Sequence, residues 1–374
     1  MAVTSQKIPL VAVCGPTASG KTALGVGLSK AFGGAVISAD SMQIYRGIPV
    51  ATAQPTEEEK CGIPHDLMGF LDPGTEFSVA DYCTLAHKAI ENAYKDGFLP
   101  ILVGGTGLYV DSVISDIDFC DCGSTEVRER LQKELSAVGA LNLYERLKAV
   151  DPEAAKKIEP NNTRRIIRAL EVFEVTGIPF SKQNELSRKR PSRYETLKLV
   201  VNFKDRENLY KRINERVDKM LQNGLIDEAL RVRSDLRENG AGQAIGHKEL
   251  YPYFDGKCTL KEAAESLKRA TRRYAKRQLT WFLRDPSATV LYADACDVLK
   301  EAEAIVAAWL QNFQLEDIAL KSAAKAAEIP AKNTAEETPN VSKEETETAE
   351  RSQKAAVADN RKFIGGEQQK REVQ

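Results

Sequence analysis

The sequence predicts an α/β fold: a parallel sheet with helices on both faces and an inserted all-helical domain. Three observations predict it. "GPTASGKT" (15–22) stands between an apolar run and a helical pattern. Short apolar runs alternate with helix-period segments through the N-terminal third. Residues 124–190 then read as helix throughout, before strand character returns.

Residues 8–13 (IPLVAV) are apolar without alternation, as in a strand buried on both faces. Gly15 to Thr22 form a loop, and a helix begins near Lys21 and runs to about Phe32. "GAVISAD" (34–40) reads as a second strand ending in Asp40. Ser78 is an N-cap for a helix over 79–97, which Gly97 can close. "LPILVGG" (99–105) is a third strand, bounded by Pro and Gly. "STEVRERLQKELSAVG", "ALNLYERLKAVDP" and "NNTRRIIRALEVFEVTG" follow as helices. "ETLKLVVNF" (195–203) is strand again. Helices are expected at about 206–222, 225–238 and 259–284, and a last strand at 288–294 (ATVLYAD).

The economical organisation is a discontinuous core, 1–117 with 194–315, and a helical insertion over 118–193. From about residue 318 the chain is mainly Ala, Glu, Lys and Thr, so 318–374 reads as a disordered or weakly helical tail. No internal repeat is evident.

The 374 residues suggest two domains, or one large domain with an insertion. A formal net charge of −1 excludes a global basic field, so any nucleic-acid surface must be a local patch. Seven cysteines form an odd set without a C-x-x-C pair, which points to reduced thiols and away from a zinc module. Cys120-Asp121-Cys122 is spaced too tightly for common zinc patterns. "MAVTSQKIPL" lacks the cationic start and apolar run of a signal peptide. No stretch reaches the roughly 18 apolar residues of a membrane span. A cytoplasmic location with no membrane contact is expected, and nothing suggests a self-pairing surface or a protein partner.

"GPTASGKT" satisfies G-x-x-x-x-G-K-[ST] in its required strand–loop–helix context, which makes the expected sheet P-loop NTPase-like. Gly15, Pro16, Thr17, Ala18, Ser19, Gly20, Lys21 and Thr22 would cradle phosphate. The loop amides and the helix N-terminus supply partial positive charge, Lys21 a full charge, and the Thr22 hydroxyl a ligand for Mg²⁺. The motif specifies phosphate binding, not hydrolysis. The carboxylate that ATPases carry at a second strand end is absent from "ILVGGTG". Asp40 is the candidate, either as a cap for the next turn or as a functional group. Strand ends of a parallel sheet face one crevice, so Asp40, Gly104–Thr106 and the phosphate loop should share a mouth. There a carboxylate can act as base toward a second substrate. Thr106 can hydrogen-bond phosphate or that substrate, or simply make the turn. On pattern alone, Arg216 and the arginines of 124–190 read as solvated surface charges.

Together these motifs resemble the bacterial-type tRNA dimethylallyltransferases, also called tRNA isopentenyltransferases. The matching segments are "GPTASGKT" (15–22), "ISADSMQIYRG" (37–47), "ATAQPT" (51–56), "FSVADY" (77–82), "LVGGTGLYV" (102–110), "NNTRRIIRALEVFEVTG" (161–177), "AIGHKEL" (244–250) and "RATRRYAKRQLTWFLR" (269–284). They cover roughly residues 8–290. The phosphate loop alone fits many kinases; the ordered set is far more specific.

The resemblance implies transfer of a dimethylallyl group from dimethylallyl diphosphate to the exocyclic amino group of the adenine 3′-adjacent to the anticodon in tRNA. The phosphate loop would then hold a pyrophosphate leaving group, with Mg²⁺ as cofactor. Asp40 matches the family's base, Thr106 its threonine near the reaction centre, and Arg216 its phosphate-reaching arginine. The family's tRNA contacts map onto Asp40, Ser41, Met42, Gln43, Thr106, Arg128, and the run Arg164, Arg165, Ile166, Ile167, Arg168. The helical insertion would clasp the anticodon stem-loop. Tyr45 is a further side chain available to a splayed base. Arg269, Arg273, Lys276 and Arg277 have the spacing of a phosphate-tracking stripe, while Leu279, Trp281 and Phe282 belong to a core face. His247 stands where the family motif commonly has tyrosine, which would weaken any stacking there. Asp66 stands where relatives often carry a second histidine. Three alternatives remain: an adenylate isopentenyltransferase acting on free nucleotide, a P-loop small-molecule kinase, and a non-catalytic nucleic-acid binder with a relic loop.

Overall fold

A computed structural model describes residues 7–117, 119, 123–189, 191–233, 240–311 and 313. Its centre is strand β1 (Ile8–Cys14), buried from Pro9 onward. β4 (Leu99–Gly104) and β5 (Tyr194–Asn202) flank it in parallel, with Val11 in register with Ile101 and Leu197. β2 (Gly34–Ser38) lies outside β4, and the two-residue β3 (His65–Asp66) edges β2. β6 (Thr289–Tyr292) closes the other side. The six-stranded order is therefore β3-β2-β4-β1-β5-β6, parallel throughout.

Alternate residues of a strand face opposite ways. Leu10, Ala12 and Cys14 join a core with Tyr82, Ile90, Leu102, Val113 and Phe282. Helices α4 (Val79–Lys95), α5 (Gly107–Ile114) and α13 (Leu260–Phe282) supply its outer side. Val11 and Val13 join Leu24, Leu28, Ile101, Leu199 and Val306, under α1 (Lys21–Phe32) and α14 (Val298–Leu310). Both faces are covered, as the apolar strands require. The short helices α2 (Pro49–Thr52) and α3 (Glu57–Lys60) lie between β2 and β3. α10 (Arg206–Gln222), α11 (Leu225–Arg233) and α12 (Tyr251–Phe254) pack with α13 around Val217, Leu225, Leu250 and Leu267.

The helical block has its own core. α6 (Thr125–Val150), α7 (Pro152–Ala155), α8 (Thr163–Thr176) and α9 (Phe180–Leu186) enclose Leu131, Leu143, Leu147, Ile166 and Leu170. Gly139 breaks α6 with φ 82° and ψ 167°, so the two helices read from sequence meet at that residue. The block leaves and rejoins the sheet at a narrow neck. Ser192 Oγ donates to Ile114 O at 2.8 Å, and Arg193 Nε pairs with Asp116 Oδ2 at 2.9 Å. His87 sits beside this neck, its Nδ1 2.6 Å from Tyr194 OH.

Ser78 caps α4 as expected, within a capping box completed by Asp81, and Gly97 follows the helix end at φ +81°. Three features depart from the sequence reading. β2 stops at Ser38, which leaves Asp40 in the turn beyond the strand. Helix α5 starts directly after Thr106, and α14 follows the last strand; neither was expected. The tail 318–374, Cys120 and Cys122, and the end of the helix expected over 225–238 lie outside the described residues. Among the described residues Cys14, Cys61, Cys83, Cys258 and Cys296 are free thiols, and no helix is long and apolar enough to cross a membrane.

Candidate active site at the phosphate loop

The loop after β1 and the turn after β2 open into one cavity of about 300 Å³. Thr17, Lys21, Thr22, Asp40, Ser41, Met42, Gln43, Gly104 and Arg216 line it, so Asp40 and the phosphate loop share the expected mouth, while Gly105 and Thr106 are not among its lining residues. Among its described lining residues Asp40 is the only acid, against the cations Lys21, Arg216, Lys248 and Arg277. Met68, Val217, Met220, Ile245 and Leu267 give the cavity an apolar side.

In the phosphate loop, Lys21 Nζ donates to Pro16 O at 2.7 Å. Burial, and then the Arg216 charge, bring the Lys21 pKa down to about 8 against the opposing charge of Asp40. Burial likewise pulls Arg216 below its ordinary value, with Asp40 opposing. Two cations beside one carboxylate leave net positive charge for an anion. The Ser19 hydroxyl is buried in the same loop without a hydrogen-bond partner. Such an orphan is costly unless a ligand meets it. Helix α10 braces the loop from outside: Arg212 Nε donates to Ala18 O at 2.9 Å.

Asp40 Oδ1 accepts from Met42 N at 2.9 Å, which fixes the turn as well as the carboxylate. Thr106 Oγ1 accepts from Ser41 N at 2.9 Å and donates to Ser41 Oγ at 3.2 Å. Thr106 N donates to Ala39 O at 3.1 Å. The threonine thus stitches the third strand's loop to the Asp40 turn, and both its turn role and its place near the carboxylate are realised. Gln43 turns inward: Nε2 donates to Thr52 O and Ala53 O at 3.2 Å, and Oε1 accepts from Ser38 Oγ at 3.1 Å.

Two residues of α13 escaped the sequence reading. Gln278 is buried; its Oε1 accepts from Thr17 N at 2.8 Å and its Nε2 donates to Gly105 O at 2.9 Å. A Cβ on Gly105 would fall 2.3 Å from that Nε2, so only glycine admits the bridge. Tyr274 lines the cavity beside Gln278. Burial, then the Asp40 charge, push its phenol well above the ordinary range, so it stays protonated. The Arg277 guanidinium stands 5.6 Å from the Tyr274 ring centroid. Below them Trp281 Nε1 donates to Asp111 Oδ2 at 2.6 Å, and buried Lys198 joins Asp111 and Asp285 at 2.9 and 3.0 Å. These contacts fix α13 against α5, which sets the reach of Gln278.

Other expectations need correction. Tyr45 is buried and donates to Thr75 O at 3.2 Å, so its ring cannot meet a base. His247 is also fully buried, with Nε2 2.9 Å from Glu228 Oε1, so no stacking surface exists at that position. Asp66 lies on edge strand β3, outside the cavity lining. Ile166 and Ile167 are core residues of the helical block, so their side chains are not available to RNA. Arg164 and Arg165 are exposed on α8. Arg128 and Arg168 both pair with Glu171. These arginines belong to the helical block and do not line the cavity. Arg269, Arg273, Lys276 and Arg277 are exposed along α13 while Phe282 is buried, as the stripe-and-core pattern predicts.

Thr22 and Asp40 give the cavity two hard oxygen donors, and no group of three His, Cys, Asp or Glu residues able to hold a metal exists among the described residues. That donor set suits Mg²⁺, which takes one or two protein oxygens and completes its shell with phosphate and water.

Comparison with known proteins agrees with this geometry. Residues 43–285 match the family model described as IPP transferase, and residues 8–65 match one described as isopentenyl transferase. The tRNA dimethylallyltransferase of Thermoanaerobacter sp. (strain X514) is 50% identical over 279 residues, 74% of this chain and 89% of that protein. That of Bacillus subtilis (strain 168) is 47% identical over 282 residues, 75% and 89% of the two chains. The full-length tRNA isopentenylpyrophosphate transferase of Bacillus halodurans superposes with TM-score 0.62 at 42% identity, covering 85% of this chain and 99% of that one. A eukaryotic dimethylallyltransferase acting on tRNA superposes with TM-score 0.72 at 30% identity, covering 82% and 80%. With the family model matching residues 43–285 and relatives about half identical along most of their own length, the chain belongs to the IPP transferase family.

Proposed function

We propose that this chain transfers a dimethylallyl group from dimethylallyl diphosphate to the exocyclic amino group of an adenine in tRNA, the one 3′-adjacent to the anticodon. The observation that carries the reading is the cavity itself. It sets Asp40 against Lys21 and Arg216, beside an apolar wall, with the phosphate loop at one end.

The chemistry follows from that arrangement. The C1–O bond of the allylic diphosphate breaks as the adenine nitrogen forms a bond to C1. Negative charge collects on pyrophosphate, where Lys21, Arg216 and the loop amides stabilise it. The amino group is a weak nucleophile because its lone pair is delocalised into the ring. Asp40 accepts its proton as the C–N bond forms. Thr106 fixes the turn that carries Asp40. The apolar wall formed by Val217, Met220, Ile245 and Leu267 suits a branched hydrocarbon and excludes water that would capture the allylic carbon. Thr22 and the diphosphate oxygens would hold Mg²⁺, which adds positive charge at the leaving group. The target base is stacked in a folded anticodon loop, so the enzyme takes it out of the stack to reach this cavity.

The test is mass analysis of unmodified tRNA incubated with the protein, Mg²⁺ and dimethylallyl diphosphate, with AMP as a parallel acceptor. A gain of one dimethylallyl group on the adenine next to the anticodon is expected. Prenylated AMP with untouched tRNA would overturn the proposal.

A further inference from the structure

Glu228 and His247 are buried together behind the cavity lining, at 1% and 0% exposure. In front of them the lining is made by two separate segments of chain. Ala51 and Thr52 of α2 form one, and Ala244 and Ile245 the other. Ala51 and Ile245 pack in the same apolar cluster as Val217, Met220 and Leu267, so both segments belong to the hydrocarbon side of the cavity. Glu228, on α11, reaches both. Its Oε2 accepts from Val50 N at 2.8 Å and its Oε1 from Ala51 N at 2.9 Å. The same Oε1 lies 2.9 Å from His247 Nε2. His247 Nδ1 is buried with no hydrogen-bond partner among the described residues, so Glu228 is the polar attachment of that ring.

A buried carboxyl group needs donors to offset its lost hydration. The donors here are two amides of the first turn of α2, whose N-cap residue, Ile48, has no side-chain oxygen to offer them. Four residues are too few for a helix to hold itself. α2 is held instead at its two ends. Glu228 takes the leading amides, and Gln43 Nε2 donates to Thr52 O and Ala53 O, each at 3.2 Å. Across from α2, a Cβ on Gly246 would stand 3.3 Å from Ala51 Cβ. The two segments therefore touch, and Glu228 is the polar clasp behind their contact.

We infer that Glu228 is a positioning residue that sets the spacing of these two segments, and through it the room open to the prenyl group. This rests on the functional reading above. With the clasp closed, the wall admits a dimethylallyl group and resists a longer chain, because packed neighbours must shift to take extra carbons.

The test is selectivity, which general damage to the fold would not alter. Geranyl diphosphate has the same headgroup and one more isoprene unit. Used as a competitor of dimethylallyl diphosphate, it reports on the wall whether or not it is transferred. Glu228→Gln keeps one oxygen and replaces the other by an NH₂ group, which cannot accept from a backbone amide. We expect the inhibition constant of geranyl diphosphate, divided by KM for dimethylallyl diphosphate, to fall about tenfold, the scale on which an apolar pocket separates hydrocarbons of different size. KM for tRNA should change far less. Parallel weakening of both diphosphates, with the quotient as in wild type, overturns the proposal, since it marks a purely structural role. A raised KM for tRNA with an unchanged quotient also overturns it, because the wall would then face the acceptor base. Should Glu228→Gln not fold, Glu228→Asp keeps both oxygens and shortens their reach by a methylene group; the quotient should fall again, and a wild-type value overturns the idea. Failure of the functional reading shows separately, as absence of dimethylallyl transfer by the unsubstituted chain.

Discussion

Gln278 accepts the Thr17 amide at 2.8 Å while its own NH₂ reaches Gly105 O at 2.9 Å. One amide, carried by a helix distant in sequence, therefore spans the phosphate loop and the loop that supports the Asp40 turn. Gln278→Leu has similar bulk but leaves Thr17 N and Gly105 O without their partner. It should destabilise the fold by about 1–3 kcal/mol in denaturant titration and reduce kcat at least tenfold. Gly105→Ala should reproduce the loss of turnover, because its Cβ would occupy the place of the Gln278 amide. Wild-type turnover in both variants would remove the bridge from the mechanism.

Asp40→Asn keeps an oxygen for the Met42 amide, so the turn should survive. The base does not. Turnover should drop by about 10²–10⁴, with affinities for tRNA and diphosphate nearly unchanged. Single-turnover kinetics paired with equilibrium binding separates the two. A fall in tRNA affinity that accounts for the whole loss would make Asp40 a contact and not the base.

Lys21 titrates unusually low, near pH 8, because burial and then Arg216 disfavour its charge. A lysine depressed in the fold is neutral between that value and its unfolded value of 10.5, where the unfolded chain still binds the proton. The native state therefore gains stability relative to the unfolded one as pH rises through this window. Diphosphate binding runs the other way. The anion favours the charged amine, so affinity for dimethylallyl diphosphate should fall as pH climbs above about 8, and binding there should take up a proton. Calorimetry in two buffers of different ionisation enthalpy measures that uptake. Lys21→Met should bind diphosphate weakly and without this pH dependence.

Ile166 lies in the core of the helical block with no exposed surface. Ile166→Ala should cost about 2–5 kcal/mol, read as an earlier chemical denaturation midpoint. Arg165→Ala, one residue away and exposed, should leave that midpoint within about 0.5 kcal/mol and weaken tRNA binding instead. Interchanged results would mean that the two faces of α8 are assigned the wrong way round.

The phosphate loop and Asp40 were legible because each depends on residues close in sequence. The strand, the glycines and Lys21 form one continuous motif, and Asp40 follows a short apolar run. Ile166 and Ile167 could have been separated from their arginine neighbours. With Leu170 they make the apolar side of a helical period, and Arg164, Arg165 and Arg168 fall outside it. Gln278 and Arg212 had no such signal. Each acts on a loop distant in sequence, and the distance closes only when α10 and α13 pack over the strand ends. A glutamine in mid-helix reads as an ordinary polar residue until its partners are known. Tyr45 failed for the opposite reason. Its residue type suggested contact with a base, while burial decided otherwise.

The neck at Ile114, Asp116, Ser192 and Arg193 has a consequence of another kind. The excursion that carries α6 to α9 starts and finishes at one spot, sealed by a hydrogen bond and an ion pair. Its length is thereby uncoupled from the sheet, since no strand must be rethreaded to accommodate a change. The block behaves as a cassette. Helices can be added, shortened or exchanged above the neck while the cavity below keeps its geometry, and the cost to the core is the closure of one short turn.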